Sequence, residues 1–167
     1  MSASTETQFR EMVRNHLSQL ESDIVYALKE VIEYQYPEEL FALDIEVFSD
    51  SFTSQFPARA FFLDQKNCEY FVYENGVATY PSPIDPEFLK IECVYPEEME
   101  EKFVSLDPAL DPWSIATSEF ISWFSSCWNK AGGTSFPLAA TIAHHDSTTE
   151  FNLLSGQWQA RHAAFHP

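Results

Sequence analysis

Between residues 5 and 35, Phe9, Val13, Leu17, Leu20, Ile24, Leu28 and Val31 recur at spacings of 4, 4, 3, 4, 4 and 3. That period draws one apolar stripe along a helix, with Arg10, Arg14, Glu21 and Glu30 off the stripe. Seven such side chains can pack a sheet, so the segment is expected to be a core helix and not an exposed coiled-coil seam. Thr5-Glu6-Thr7-Gln8 fits a capping box at its start. The same pattern in Ser18-Gln19-Leu20-Glu21 marks a potential break at 18–23, and Pro37 ends the run.

A β region follows. "FALDIEVF" (41–48) alternates Phe41, Leu43, Ile45 and Val47 with Asp44 and Glu46, the pattern of a half-buried strand. "ARAFFLD" (58–64) and "CEYFVY" (68–73) come next, then Asn75-Gly76 and "VATY" (77–80). Asn-Gly suits a type I′ turn, whose two central residues need positive φ. Four strands joined by short turns predict an antiparallel meander.

Residues 81–112 differ in character. Six of the ten prolines and nine acids fall here, against Lys90 and Lys102, a net −7 over 32 residues. "LKIECVY" (89–95) is compatible with a strand showing Leu89, Ile91, Cys93 and Tyr95 on one side. "PEEMEEKFVSL" (96–106) reads as a short helix begun by Pro96, with Met99, Phe103 and Leu106 inward. Because its apolar residues stay periodic, the stretch is an excursion from one domain and not a linker between two.

A second long helix is predicted near 117–131, capped by Thr117 or Ser118. Its stripe is Phe120, Phe124, Cys127, Trp128 and Ala131, and Gly132 stands at the C-terminal left-handed position. "PLAATIAHH" (137–145) and "EFNLLS" (150–155) read as a hairpin, and the tail from 157 to 167 is expected to be loose. The expected fold is therefore a single α+β domain over 1–167. Its sheet is mainly antiparallel, with five to seven strands packed by the two long helices.

Charge narrows the function. Twenty-six acids against nine bases give −17, beyond the about 2–8 usual for a small domain. Such a field repels nucleic acid and anionic lipid and attracts cationic surfaces. The apolar runs are too short to cross a membrane, and residues 1–11 resemble no signal peptide. Cys68, Cys93 and Cys127 are odd in number and lack a CxxC spacing, so a reducing cytoplasm suits them.

Chemistry is sparse. Four glycines leave no room for GxxxxGK[ST] or GxGxxG, so no nucleotide cofactor motif can be written. The one reactive-looking stretch is "IAHHDSTTEFNL" (142–153). On a regular strand His144 and His145 would point to opposite faces and could not share one ion. No third ligand at a metal-site spacing is visible, and no GxSxG elbow accompanies the His-Asp pair. Neither a catalytic residue, a cofactor site nor a metal site is assigned, and the stretch is expected to be the polar end of a hairpin. A small enzyme using His144 and Asp146, or an accessory subunit of a larger assembly or homo-oligomer, are the alternatives.

The long N-terminal helix, "LFALDIEVFSD", the acidic proline-rich middle and "DPWSIATSEFISWF" resemble small acidic immunity-type proteins of bacterial toxin systems and allied uncharacterised cytoplasmic families. The resemblance implies a non-catalytic inhibitor that blocks a basic protein partner, a toxin or nuclease, through acidic and aromatic surface. The expected contact residues are Asp85, Glu87, Glu97, Glu98, Glu100, Glu101, His144 and Asp146.

Overall fold

The computed structural model describes residues 4–54, 56–86 and 91–166. Helix α1 runs unbroken over Thr5–Glu33, and Ser4, not Thr5, caps it by accepting the Thr7 amide at 3.2 Å. Ser18 donates back to the Asn15 carbonyl at 2.8 Å, so its hydroxyl starts no new helix. Phe9, Val13, Leu17, Ile24, Leu28 and Val31 are buried, and Leu20 packs against them half-buried. Each such burial contributes about 1.5–3 kcal/mol.

Among the described residues seven strands follow in chain order: β1 Leu40–Val47, β2 Ala58–Asp64, β3 Val72–Glu74, β4 Val77–Thr79, β5 Ala139–His144, β6 Thr149–Asn152 and β7 Gln157–Ala160. Five of them make one sheet in the order β2-β1-β5-β6-β7. The sheet is mixed, because β1 and β5 pair in parallel while its other pairs are antiparallel. β3 and β4 form a separate hairpin, with Asn75 at φ 53° and Gly76 at φ 81°. The expected four-strand meander is thus replaced. After β2 the Asp64 carboxylate accepts the amides of Lys66 and Cys68, which curls the chain away. Of the expected pairing there remain a bridge from Leu63 to Glu69, the bond from the Asp64 amide to the Cys68 carbonyl and that from the Tyr70 amide to the Phe62 carbonyl.

Of the strand expected over 89–95, residues 89 and 90 lie outside the described residues, and 91–95 join no sheet. They are held instead by the Val94 amide bonding to the Phe52 carbonyl at 2.7 Å. Ile91, Val94 and Tyr95 are buried while Cys93 is not fully so, which breaks the period of two. Helix α2, Glu97–Leu106, forms where expected, with Pro96 just outside it as the cap residue. Phe103 is buried, but Leu106 is 64% exposed and does not reach the core.

Helix α3 spans Pro112–Lys130 and begins five residues before Thr117. Asp111 caps it by accepting the Ser114 amide at 3.0 Å, and Pro112 takes the first turn, where its missing N–H costs nothing. Arg10 and Arg14 of α1 reach Glu119 of α3, and Glu21 reaches Lys130. Both sequence positions rise together, so the two helices run parallel. Their apolar faces and the facing side of the sheet share one core with Leu43, Ile45, Val47 and Ile142.

On the other side of the sheet lies a polar cluster closed by the tail. The stretch expected to be loose forms β7 against β6, and Arg161 beyond it bonds Asp44 at 2.9 Å and Glu46 at 2.7 Å. Asp44 also accepts the Thr141 hydroxyl at 3.0 Å, and Glu150 accepts the Gln159 side chain and the His162 amide. Burial pushes the Asp44 carboxyl up to about 6, and Arg161 and Thr141 offset only part of that rise. A carboxyl raised in the folded state favours folding at low pH. Its contribution is complete below the unfolded value near 3.8 and is lost as pH climbs through about 6. Asp44→Asn should therefore remove about 3 kcal/mol of stability change across that window. Urea denaturation of both proteins at several pH values checks this, and parallel stability profiles would refute it.

Candidate functional site

The parallel pairing of β1 and β5 brings two strand ends to one edge. Val47 is in register with His144, and the His145 amide bonds the Val47 carbonyl at 3.0 Å. Ser49, in the turn just past β1, therefore stands beside His144 at the end of β5. Open α/β sheets bind ligands at such carboxyl ends. Across from them lies the first half of α3, whose Asp111 cap fixes where Trp113 projects.

Between these elements is a hollow of about 420 Å³, lined by Ser49, Asp111, Trp113, Ser114, Thr117, Ser118, Ile121, His144 and Trp158. Trp113 is 48% exposed and Trp158 56% exposed. Trp158 is braced edge-to-face by Phe151 at 5.5 Å. A neighbouring hollow shares Asp111, Ser114 and Ser118 and extends to Glu6, Arg10 and Asp107. Another shares Ser118, Ile121 and Trp158 and extends to Ser122, Ser125 and Phe151. Together they form one groove along α3, floored by serines and flanked by indoles.

His144 and Ser49 are 3.0 Å apart, Nε2 to Oγ. On the other side of the ring the Asp146 amide donates to Nδ1 at 3.3 Å. An Nδ1 that accepts leaves the proton on Nε2, so in the neutral ring His144 donates and Ser49 Oγ accepts. A serine nucleophile needs the opposite, a bare Nε2 to take its proton. This arrangement does not activate Ser49. Burial lowers the His144 pKa and the neighbouring His145 adds to that, while Asp146, Asp50 and Glu46 pull back only in part.

The two histidines come together, contrary to the expectation from strand alternation. β5 ends at His144, the Ser147 amide turns back to the His144 carbonyl at 2.9 Å, and the alternation ends with the strand. The His144 and His145 ring centres are 4.6 Å apart, and the His145 ring stacks on Phe48 at 4.9 Å. His145 Nε2 lies 3.0 Å from Asp146 Oδ2. β5 and β6 still form the expected hairpin around this turn.

Of the expected contact residues, only His144 lines the hollow, with Asp146 beside it. Asp85 is an exposed loop residue, and Glu87 lies outside the described residues. Glu97, Glu98 and Glu101 are exposed on α2, while Glu100 accepts the Tyr95 hydroxyl at 2.7 Å. Trp113, Trp158, Asp111 and Ser49 escaped the sequence reading. The available signal was the Asp-Pro-Trp start of α3, a capped helix N-terminus that aims a tryptophan outward. No family model, curated protein or solved structure matches the chain. What fold and site define is an α+β protein with an indole-flanked groove at the edge of a mixed sheet.

In nitrogen-detected NMR, His144 should be the Nε2–H tautomer at neutral pH and titrate below the ordinary 6.5. An Nδ1–H tautomer would leave Nε2 bare beside Ser49 Oγ and overturn this assignment.

Proposed function

We propose that this chain is a non-catalytic acidic binding protein of the immunity type, which blocks a basic protein partner by seating it in the α3 groove. One observation carries the reading: two half-exposed tryptophans flank a concave surface that also holds the Asp111 carboxylate. Indoles left this open, with Ile121 and a row of hydroxyl side chains between them, are the residue type that dominates binding energy when a partner covers it. Their faces also attract a guanidinium or ammonium group, the more so beside a carboxylate.

The net −17 supplies the approach. Steering by a field of that sign raises the association rate of a cationic partner and weakens as salt screens it. Glu97, Glu98 and Glu101 make no ion pair among the described residues and outnumber Lys102, the cation of their helix. They belong to the approach, while Trp113 and Trp158 belong to the seat. Arg10, the one guanidinium in the groove among the described residues, is held by Glu6 and Glu119 and offers the partner little repulsion.

Affinity capture from native lysate at low salt should retain a basic protein that elutes as salt rises. Trp113→Ala and Trp158→Ala should each weaken binding by about 2 kcal/mol, roughly 30-fold, mainly through faster dissociation. Changing Glu97, Glu98 and Glu101 together to Gln should slow association and leave dissociation nearly unchanged. The assignment is wrong if the double tryptophan variant captures the same protein with the same salt profile.

A further inference from the structure

The turn after β5 gathers three side chains of types that can ligate a metal, and two of them, His145 and Asp146, lie outside the lining of the groove. One donor atom from each of His144, His145 and Asp146 lies within 4.8 Å of the others. Donors each about 2.1 Å from one tetrahedral ion stand roughly 3.4 Å apart. The largest gap to close is therefore roughly 1.4 Å, and Asp146, with its side chain 79% exposed, has the freedom to move. His145 Nε2 and Asp146 Oδ2, at 3.0 Å, already have the separation of two ligands on one ion.

The supporting contacts match what an imidazole ligand needs. A ligating histidine usually gives its other ring N–H to an oxygen, which fixes tautomer and ring direction. Ser49 Oγ does this for His144 by accepting from Nε2, which leaves Nδ1 as the acceptor of the Asp146 amide at 3.3 Å, a long contact that a bound ion would replace. Phe48 stacks on the His145 ring and restricts it. Ordering of these two rings therefore precedes any ion.

We propose that His144, His145 and Asp146 form a binding site for one divalent first-row transition ion, with Ser49 as the positioning residue. Two imidazoles and one carboxylate suit zinc, nickel or copper and not magnesium or calcium, which prefer all-oxygen sets. The anionic surface concentrates divalent cations generally, but the two ring nitrogens select among them. Three protein ligands leave further positions to water. Because His144 also lines the α3 hollow, the ion would lie at the edge of the groove.

The test uses the full chain, freed of metal by chelation, titrated with zinc chloride in a calorimeter at neutral pH. One ion per chain is expected, with affinity falling as pH drops through the imidazole range. His145→Ala and Asp146→Ala should each weaken binding at least about tenfold, and Ser49→Ala by about tenfold. His166→Ala, in the tail, should leave it unchanged. His145 and Asp146 are surface residues, so far-UV circular dichroism should show all variants folded. Excess magnesium should not displace the zinc. Absence of binding in the wild type, undiminished binding in His145→Ala, or displacement by magnesium would each overturn the site.

Discussion

The pairing of β1 with β5 determines the rest of the molecule. Parallel neighbours cannot be joined by a tight turn, so the chain must travel away and come back on the same heading. Here the return passes through α2 and α3 before β5 starts at Ala139. Once paired, β1 and β5 are interior strands of the sheet, and both faces of each are covered. That is why β5 reads Ala-Ala-Thr-Ile-Ala, with small side chains where a one-sided strand would show polar ones. It is also why Asp44 and Thr141, in register across the pair, are buried and bond each other.

A second constraint follows from the parallel run of α1 and α3. Glu119 lies in the seam between them with its side chain only 7% exposed. A buried carboxylate is tolerated only when paired and hydrogen-bonded. Arg14 supplies two bonds at 2.6 and 3.0 Å, and Arg10 a third at 2.6 Å. Burial alone would raise this carboxyl, but the two guanidinium groups outweigh it and hold it below the ordinary range. The clamp fixes the rotation of α3 about its axis, and so decides that Ser114, Ser118 and Trp113 face the groove.

How much of this could be read from the residues depended on whether the information was local. The stripe of α1 is a property of one segment, and six of its seven members are buried. The limits of β2 and the Asn75-Gly76 turn are local too, and both appear as read. The parallel partner of β1 is not, because alternation within 41–48 says nothing about what lies alongside it. The strand 157–160 was missed for a related reason: Gln-Trp-Gln-Ala has little pattern of its own and is ordered by pairing with β6. The start of α3 was misplaced although its signal was present, since Thr117 resembles a cap but bonds back to the Trp113 carbonyl inside the helix. At the candidate site His144 was legible as a polar cluster, whereas its partner Ser49 is 95 residues away in sequence.

The distribution of basic residues joins fold to function. Of the nine, Arg10 and Arg14 are held by Glu119, Arg161 by Asp44 and Glu46, and Lys130 by Glu21. Arg59 is turned toward Phe61 and the Tyr80 hydroxyl. Five of the nine cations are therefore engaged in holding elements together, three of them by carboxylates that are themselves largely buried. Glu97, Glu98 and Glu101 of α2 lie at the surface, while Asp107 and Asp111 line the groove and bond backbone amides there. A net −17 shared by both signs over the surface would give patches of either charge. With five of its nine cations already paired or packed within the fold, the acidic excess dominates the charge of the surface, and a field of that sign attracts cationic groups.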